Sequence, residues 1–266
     1  MQTVISKDGT KIAYETMGHG PALIIVDGAL NYRDFGTGRP LAELLKQYFI
    51  VYIYDRRGRG ESTDTKPFAI EREVEDLDAL IKAAGGEVFV FGQSSGAVLA
   101  LEAANILGKK IKKLALYETP FVVDNTYPAM SDNYLPELKK MIAENRRGDA
   151  VKYFMKRVGV PAFFLWLFPL MPMWSKLKVI AHTLPYDIAL VEPYQKGKAL
   201  PKNAWNNVTM PTLVAVGGKS PAYMKNGLSQ LAQVLPNAEH KVIEGQTHML
   251  KPEAIVSILV KFFIGN

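Results

Sequence analysis

The stretch that decides the fold of this chain is Val88-Phe89-Val90-Phe91-Gly92-Gln93-Ser94-Ser95-Gly96. Its four apolar residues predict a buried strand, and the stretch from Ala97 to Ala104 predicts a helix directly after it. A strand that leads straight into a helix needs a sharp turn, and glycine favours such a turn because it has no Cβ. The pattern Gly-x-Ser-x-Gly therefore predicts a nucleophile elbow, with Ser94 at the apex and its Oγ exposed. The alternative is a glycine-rich turn whose serine has no chemical role.

Predicted strands and helices alternate along most of the chain. Asp8-Gly9 predicts an N-terminal hairpin. Beyond it, strands are predicted at 22–26, 49–54, 88–91, 111–117, 211–217 and 240–243, and helices at 40–48, 70–84, 97–104, 221–235 and 252–264. This alternation predicts an α/β fold, in which a mainly parallel sheet carries helices on both faces and the hairpin forms an antiparallel edge.

The alternation breaks off between residues 121 and 210. We therefore expect a core built from residues 1–120 and 211–266, and a helical lid or cap formed by residues 121–210. The densest part of the lid is Val158 to Trp174, which is 17 residues long and has no charge. It contains three prolines, and a membrane span needs about 20 mostly apolar residues, so no span is predicted.

Composition limits the classes of function. The chain has 266 residues, of which 48% are hydrophobic and 22% charged, as in an ordinary globular protein. The net charge of +6 is modest and its lysines and arginines are scattered, so no nucleic-acid partner is expected. Cysteine is absent, which excludes disulfides and thiolate metal sites. The first residues lack a signal-peptide core, so we expect a cytoplasmic protein that needs no metal or other cofactor.

Four motifs stand in the order typical of one superfamily. Asp27-Gly28-Ala29 stands where that superfamily usually has His-Gly, and Asp55-Arg56-Arg57-Gly58-Arg59-Gly60-Glu61-Ser62 is similar to its D-x-R-G-x-G-x-S segment. The elbow follows, and Gly245-Gln246-Thr247-His248 is similar to its catalytic-histidine loop. Over nearly its whole length, the chain resembles the α/β-hydrolase fold superfamily. The resemblance implies an α/β-hydrolase fold with a helical lid insertion, and a serine nucleophile.

A serine hydroxyl is a poor nucleophile at neutral pH and needs a base within hydrogen-bonding distance. His248 is the candidate base, because its loop is expected to meet the carboxyl end of the elbow strand. The third member of such a triad is a carboxylate that orients the imidazole. The superfamily usually places it after the strand at 211–217, where this chain has Ser220 and no carboxylate up to Leu235.

Glu118 ends the preceding predicted strand, 24 residues after Ser94. Haloalkane dehalogenases and zearalenone-type lactonases take their acid from this position, so the resemblance implies a Ser94–His248–Glu118 triad. The alternative is that Glu118 is only a structural hydrogen-bond acceptor beneath the lid.

An oxyanion needs two preorganised donors. The backbone N–H groups of Ser95, which follows the nucleophile, and of Ala29, in the loop after the 22–26 strand, are the candidates. Asp27 is a departure from the usual histidine, and a carboxylate so close to an oxyanion is expected to be either paired or turned away. Arg33 and Arg59 are the candidate partners.

The lid offers candidate pocket residues. Phe163, Trp166, Met171 and Trp174 are expected to line an apolar substrate cavity. The alternatives for this segment are packing on the core alone, dimerisation, and contact with a membrane.

These residue types predict a serine hydrolase that cleaves a small, largely apolar ester or lactone through an acyl-enzyme on Ser94. The alternatives are a non-catalytic ligand-binding member of the fold, and a lyase or C–C hydrolase that uses the same residues. The expected partner is the small-molecule substrate, and the chain is expected to be a monomer or a homodimer through the lid.

Overall fold

In the computed structural model, which describes residues 1–265, eight strands form one sheet. The strands are β1 (Gln2–Ile5), β2 (Lys11–Gly18), β3 (Ala22–Val26), β4 (Ile50–Tyr54), β5 (Val88–Gln93), β6 (Ile111–Tyr117), β7 (Thr212–Gly217) and β8 (Ala238–Ile243). Their spatial order is β1-β2-β4-β3-β5-β6-β7-β8. β2 pairs antiparallel with both β1 and β4, and every pair from β4 to β8 is parallel. The predicted parallel sheet with an antiparallel edge is therefore confirmed.

Helices cover the sheet on both faces. They are α1 (Gly38–Leu45), α2 (Ile70–Ala83), α3 (Ser95–Leu107), α4 (Tyr134–Ala143), α5 (Arg147–Arg157), α6 (Ala162–Leu167), α7 (Trp174–Ile180), α8 (Leu184–Val191), α9 (Ala222–Val234) and α10 (Pro252–Ile264). α4 to α8 all lie between β6 and β7, and we call residues 121–210 the helical insertion. The domain boundaries at 120 and 210 stay a prediction.

Two separate cores explain the unbroken apolar runs of the central strands. Leu23 and Ile25 of β3 point to one face, where they pack with α1 and α10. Ile24 and Val26 point to the other face, into the core that holds α2, α3 and much of the helical insertion. Because successive strand residues alternate between two apolar layers, every position of a central strand favours an apolar side chain. Each such side chain contributes about 1.5–3 kcal/mol when fully buried.

The apolar part of the helical insertion does not form a span. No single helix within residues 1–265 is long and apolar enough to cross a membrane. The helices at Ala162–Leu170 and Trp174–Tyr194 reach the necessary length and composition only as a pair, and that pair is bent by 99°.

Candidate active site

Ser94 occupies a sharp turn between β5 and α3. Its φ of 57° and ψ of −128° are unusual for a residue with a Cβ, and such strained backbone clusters at functional sites. The flanking glycines are required by close approach. A Cβ on Gly92 would lie 2.6 Å from the Cα of Ala97, and a Cβ on Gly96 would lie 2.2 Å from the carbonyl oxygen of Val26. The sequence therefore forms the predicted elbow, with Ser94 at its apex.

Glu118 and His248 form a hydrogen-bonded pair at the same edge of the sheet. Glu118 follows β6 directly, and its Oε2 lies 2.8 Å from Nδ1 of His248 in the loop after β8. The other carboxylate oxygen, Oε1, accepts the backbone N–H of Gly217 at 2.8 Å and the hydroxyl of Ser220. The carboxylate is fully buried, whereas the His248 side chain is 41% exposed. The imidazole is thus held by a shielded acid and still open to a small molecule.

The loop that carries His248 is anchored from β5 and β6. The Tyr117 hydroxyl donates to the carbonyl oxygen of Thr247 at 2.6 Å, and Gln93 Nε2 donates to the carbonyl oxygen of His248 at 3.2 Å. These bonds position the histidine backbone beside the end of the elbow strand. No hydrogen bond joins Ser94 Oγ to His248 within the described residues, and in ligand-free enzymes such bonds are often long and tighten only with substrate.

The loop after β3 passes close over the serine. A Cβ on Gly28 would lie 3.0 Å from the Cβ of Ser94 and 3.6 Å from its Oγ, so a larger residue there would crowd the serine. The next residue is Ala29, whose carbonyl oxygen is bonded by the side chain of Asn31 at 3.0 Å. Ser95 begins α3, so its N–H belongs to the unpaired first turn at the positive end of the helix dipole. The geometry thus brings both predicted donors to the neighbourhood of Ser94 Oγ.

Within residues 1–265, Asp27 forms no ion pair with Arg33 or Arg59, the two candidate partners from the sequence. Its Oδ1 accepts the hydroxyl of Thr37 at 3.3 Å, and burial raises its pKa to about 6. Arg33 instead pairs with Glu15, Asp55 and Glu61. The physical reason is that these three carboxylates engage both terminal nitrogens of the Arg33 guanidinium, Nη1 and Nη2.

Arg59 is bound elsewhere too, and its partner is a residue that the sequence did not reveal. Asp187, in α8, accepts Arg59 Nη2 at 2.9 and 2.7 Å, Arg56 Nη1 at 2.7 Å and the Ser95 hydroxyl at 2.8 Å. Arg56 also makes a bidentate pair with Glu73. Although burial opposes the charge of Asp187, the guanidiniums of Arg59 and Arg56 hold its pKa below the usual value. One signal was available, because Asp187 is the single acidic residue between Asp149 and Glu192.

The two arginines of this cluster reach the loop after β3. Arg59 Nη1 donates to the carbonyl oxygens of Gly28 and Asn31, at 2.7 and 3.2 Å, and Arg56 Nη1 lies 3.4 Å from the carbonyl oxygen of Asp27. Backbone carbonyls before and after Ala29 are therefore held by Arg59 and Arg56, and the carboxylate of Asp187 pairs with both of these arginines. Through Ser95 on one side and Arg59 on the other, a residue of the helical insertion supports both candidate oxyanion donors.

The candidate pocket residues lie near the surface of the helical insertion. Phe163, Trp166 and Met171 are exposed, because α6 is short and buries only Leu165. Trp166 lines a shallow groove of about 300 Å³ together with Met141, Tyr153 and Leu165. Trp174 packs beside Gly148 of α5. The enclosed cavity expected from the sequence does not surround these side chains, and their part in substrate binding stays a prediction.

Three features define the class of protein: the strand order of the sheet, the sharp turn at Ser94, and the buried carboxylate of Glu118 beside His248. The model of the alpha/beta hydrolase family matches residues 19–258, so the chain belongs to that family. Among residues 1–265, no group of three or more histidine, aspartate or glutamate side chains is arranged to hold a metal ion.

Known relatives agree with this assignment. The chain is similar to the crystal structure of an alpha/beta hydrolase from Sphaerobacter thermophilus, with 47% identity and a TM-score of 0.90, and the match covers 98% of this chain and 100% of that one. It is 22% identical to the N-formylmaleamate deformylase of Pseudomonas putida, over 88% of this chain and 84% of that protein. It is 26% identical to the uncharacterized hydrolase YraK of Bacillus subtilis, and that match spans about half of each protein, 54% of this chain and 53% of the relative.

Proposed function

We propose that this protein is a serine hydrolase that cleaves a small, largely apolar ester or lactone. The observation that carries the proposal is the 2.8 Å contact between the buried carboxylate of Glu118 and Nδ1 of His248, at the sheet edge where Ser94 stands at its strained turn. With its Nδ1–H donated to Glu118, the imidazole presents the lone pair of Nε2. A base with that tautomer is what a serine nucleophile needs.

The reaction proceeds in two halves. Ser94 Oγ attacks the carbonyl carbon while His248 Nε2 takes the hydroxyl proton, and the resulting oxyanion accepts hydrogen bonds from the N–H groups of Ala29 and Ser95. His248 then gives the proton to the leaving alcohol, and the C–O bond of the ester breaks. Water attacks the acyl group on Ser94 in the second half, with His248 again as base, and releases the acid. Each oxyanion donor contributes on the order of 3 kcal/mol to lowering the barrier.

The helical insertion acts in this proposal as the lid. Its helix α8 reaches the site directly, because Asp187 accepts the hydroxyl of Ser95 beside the nucleophile. A lid that touches the elbow restricts the access of water and shapes the space above Ser94. Apolar side chains dominate the insertion, which favours an apolar substrate.

An amide bond is the second candidate. The relative from Pseudomonas putida, whose match covers 88% of this chain, is named for the deformylation of N-formylmaleamate. Removal of an N-formyl group needs the same nucleophile, base and oxyanion donors as ester hydrolysis. The two candidates therefore differ in the substrate and not in the residues that act on it.

The first test is labelling by a fluorophosphonate probe, which reacts with an activated serine. The native protein and Ser131→Ala are expected to be labelled, and Ser94→Ala is not. Ser131→Ala is the control, because it removes the hydroxyl of an exposed loop serine and leaves the site around Ser94 unchanged. An unlabelled native protein would point to a non-catalytic ligand-binding member of the fold.

The second test is turnover on p-nitrophenyl esters of rising chain length, on aromatic lactones and on N-formyl amides. Loss of kcat in Ser94→Ala, with an unchanged unfolding transition, supports the proposed nucleophile. A different result would be labelling of Ser94 without turnover of any of these substrates. If the protein then cleaves a C–C bond in a β-diketone, it is a C–C hydrolase and not an ester hydrolase.

A further inference from the structure

Exposed apolar side chains are concentrated in one short part of the molecule. Within the described residues, fifteen large hydrophobic side chains are exposed, and seven of them lie between residues 158 and 173. We call these seven the apolar patch: Val158, Phe163, Phe164, Trp166, Leu170, Met171 and Met173. Trp166 is 71% exposed and Leu170 is 78% exposed. Scattered exposed apolar residues are normal, but seven of them within sixteen residues of the chain favour a surface that meets another apolar phase.

The local structure explains why this segment cannot bury its own side chains. α6 has six residues and buries only Leu165, so its aromatic residues on either side of Leu165 point outward. Pro161, Pro169 and Pro172 prevent one long helix from forming. The patch therefore consists of short helical segments and turns whose aromatic and aliphatic side chains are mostly exposed.

Along the chain, the charged side chains on either side of the patch have one sign from residue 150 to residue 186. Between Asp149 and Asp187 the chain has no acidic residue, and it has five basic ones, Lys152, Lys156, Arg157, Lys176 and Lys178. Asp149 itself is paired with Arg146. Among the described residues, none of the four lysines has a carboxylate within 4 Å. Lys152 and Lys178 lie 5.8 and 5.9 Å from the ring of Trp174, which holds cationic groups next to the patch.

We propose that the apolar patch and its flanking lysines dock this protein on the surface of a bilayer that contains anionic phospholipid. Aromatic and aliphatic side chains at the boundary of the acyl chains, with lysines that reach the headgroup phosphates, are the composition of an interfacial anchor. α8, which continues the insertion, is buried in the protein core, so the contact is peripheral. This docking requires no catalysis, and it therefore stands or falls independently of the proposed function.

Charge decides between a membrane and a second copy of the chain. Two copies joined through the patch would bring the same five cations against each other, with no acidic residue from 150 to 186 to compensate them. An anionic lipid surface offers the complementary charge and the apolar phase together. The unpaired lysines thus favour the bilayer as the occupant.

The test is co-sedimentation of the native protein with vesicles of phosphatidylcholine alone and of phosphatidylcholine with 30% phosphatidylglycerol. We expect binding to the anionic vesicles that is at least about tenfold tighter, and that weakens between 0.05 and 0.5 M salt because the charges are screened. Phe164→Ser combined with Leu170→Ser should lower the affinity about tenfold or more. The matched control is Ile5→Ser combined with Ile106→Ser, which removes two equally exposed apolar side chains outside the patch and should bind as the native protein does.

Tryptophan fluorescence gives an independent measurement. Of the three tryptophans, Trp166 is exposed, Trp174 is half-buried and Trp205 is buried, so a blue shift on addition of anionic vesicles should come mainly from Trp166 and be largely lost in Trp166→Phe. Equal binding to both kinds of vesicle, equal losses in the control pair, or no binding at all would overturn the proposal. The proposal would also be overturned if the protein bound no vesicles and instead formed a dimer in sedimentation equilibrium that is lost when Phe164→Ser and Leu170→Ser are combined.

Discussion

Two buried carboxylates flank the elbow, and they are surrounded by different kinds of partner. Glu118 is bonded by a backbone N–H, a hydroxyl and the imidazole of His248, and within the described residues it has no lysine or arginine partner. Asp187 is bonded by two guanidiniums and a hydroxyl. The negative charge of Glu118 therefore remains available to stabilise an imidazolium, whereas the charge of Asp187 is already neutralised. The difference teaches that, in the proposed mechanism, the first carboxylate is suited to orient His248 and stabilise its charged form, and the second to hold the backbone beside Ser94 in place.

The largest expected effect is that of Glu118→Gln. The amide keeps the shape of the side chain but cannot stabilise the charged imidazole, and loss of the acid lowers kcat by about 10⁴ in a serine protease triad. We expect kcat on the best ester to fall by about two to four decades. Ser220→Asp in the same chain should restore part of it, because the Ser220 hydroxyl already touches Glu118 Oε1 and an acid there is close to His248.

The control for this experiment is Ser220→Asp alone, measured on the same ester. A drop of less than about tenfold in Glu118→Gln would remove Glu118 from the triad and leave Ser94 and His248 as a dyad.

Asp187→Asn should show whether Asp187 acts by holding the backbone beside Ser94 in position. Removing one partner of a buried ion pair destabilises a protein by about 3–5 kcal/mol, so the free energy of unfolding should fall by this order. We also expect kcat to fall about tenfold with little change in KM, because the bonds that hold Ser95 and the loop around Ala29 weaken while Ser94, His248 and Glu118 stay intact. Urea unfolding and steady-state kinetics on one ester measure the two effects.

Glu73→Gln is the matched control for Asp187→Asn. Glu73 belongs to the same cluster through Arg56 but does not bond Ser95 or Arg59. It should lose comparable stability and keep kcat within about twofold. Equal losses of kcat in both variants would mean that Asp187 acts only through the stability of the fold.

Asp27→Asn should change stability in a way that depends on pH. Burial raises the pKa of Asp27 from 3.8 to about 6, so the folded protein binds a proton that the unfolded chain has already lost between these values. The free energy of unfolding therefore falls as the pH rises through this range. The asparagine side chain of the variant loses no proton, so this fall is absent. At pH 8 the variant should be more stable by about 3 kcal/mol, and near pH 4 the two proteins should be alike. A difference that is the same at both pH values would contradict the buried, unpaired state of Asp27.

The smallest effect is expected for Ser220→Ala. This change removes one of the three groups that bond the Glu118 carboxylate, and a hydrogen bond to a charged group contributes about 1.5–3 kcal/mol. Since Gly217 and His248 still hold the carboxylate, we expect kcat to fall about threefold to tenfold. Ser131→Ala, which removes an exposed loop hydroxyl, is the control and should leave kcat unchanged.

The sequence predicts the parts of the site that depend on local pattern. Gly92 and Gly96 are needed by contacts within one turn, so the elbow can be inferred from a few adjacent residues. The place of Glu118 at the end of a strand could be inferred from the apolar residues Leu114 to Tyr117, whereas its role as the acid was implied by the resemblance to relatives that take their acid from this position. Its 2.8 Å contact with His248 agrees with the inference. The catalytic roles of these residues stay a prediction until the variants are measured.

The parts that escaped prediction depend on contacts between distant segments. Asp187 lies 131 residues from Arg56 in the chain, and no periodicity links the two. Asp27 and Arg33 are six residues apart, yet the guanidinium turns to three other carboxylates. Composition likewise could not tell that Phe163 and Trp166 are exposed, because an apolar side chain in a short helix looks the same in sequence whether or not a core faces it.

The position of Glu118 before the helical insertion has a consequence for the modularity of the chain. The segment 94–118 holds the proposed nucleophile, one candidate oxyanion donor and the proposed acid in a single helix and strand, and of the proposed triad only His248 comes from beyond the insertion. The insertion can then be shortened, or exchanged for one from another relative, without parting the serine from its acid. A chimaera joined at residues 120 and 211 would need a carboxylate at the place of Asp187 and partners for Asp64 and Glu102 of the core, and it would test whether substrate preference can be transplanted with the insertion.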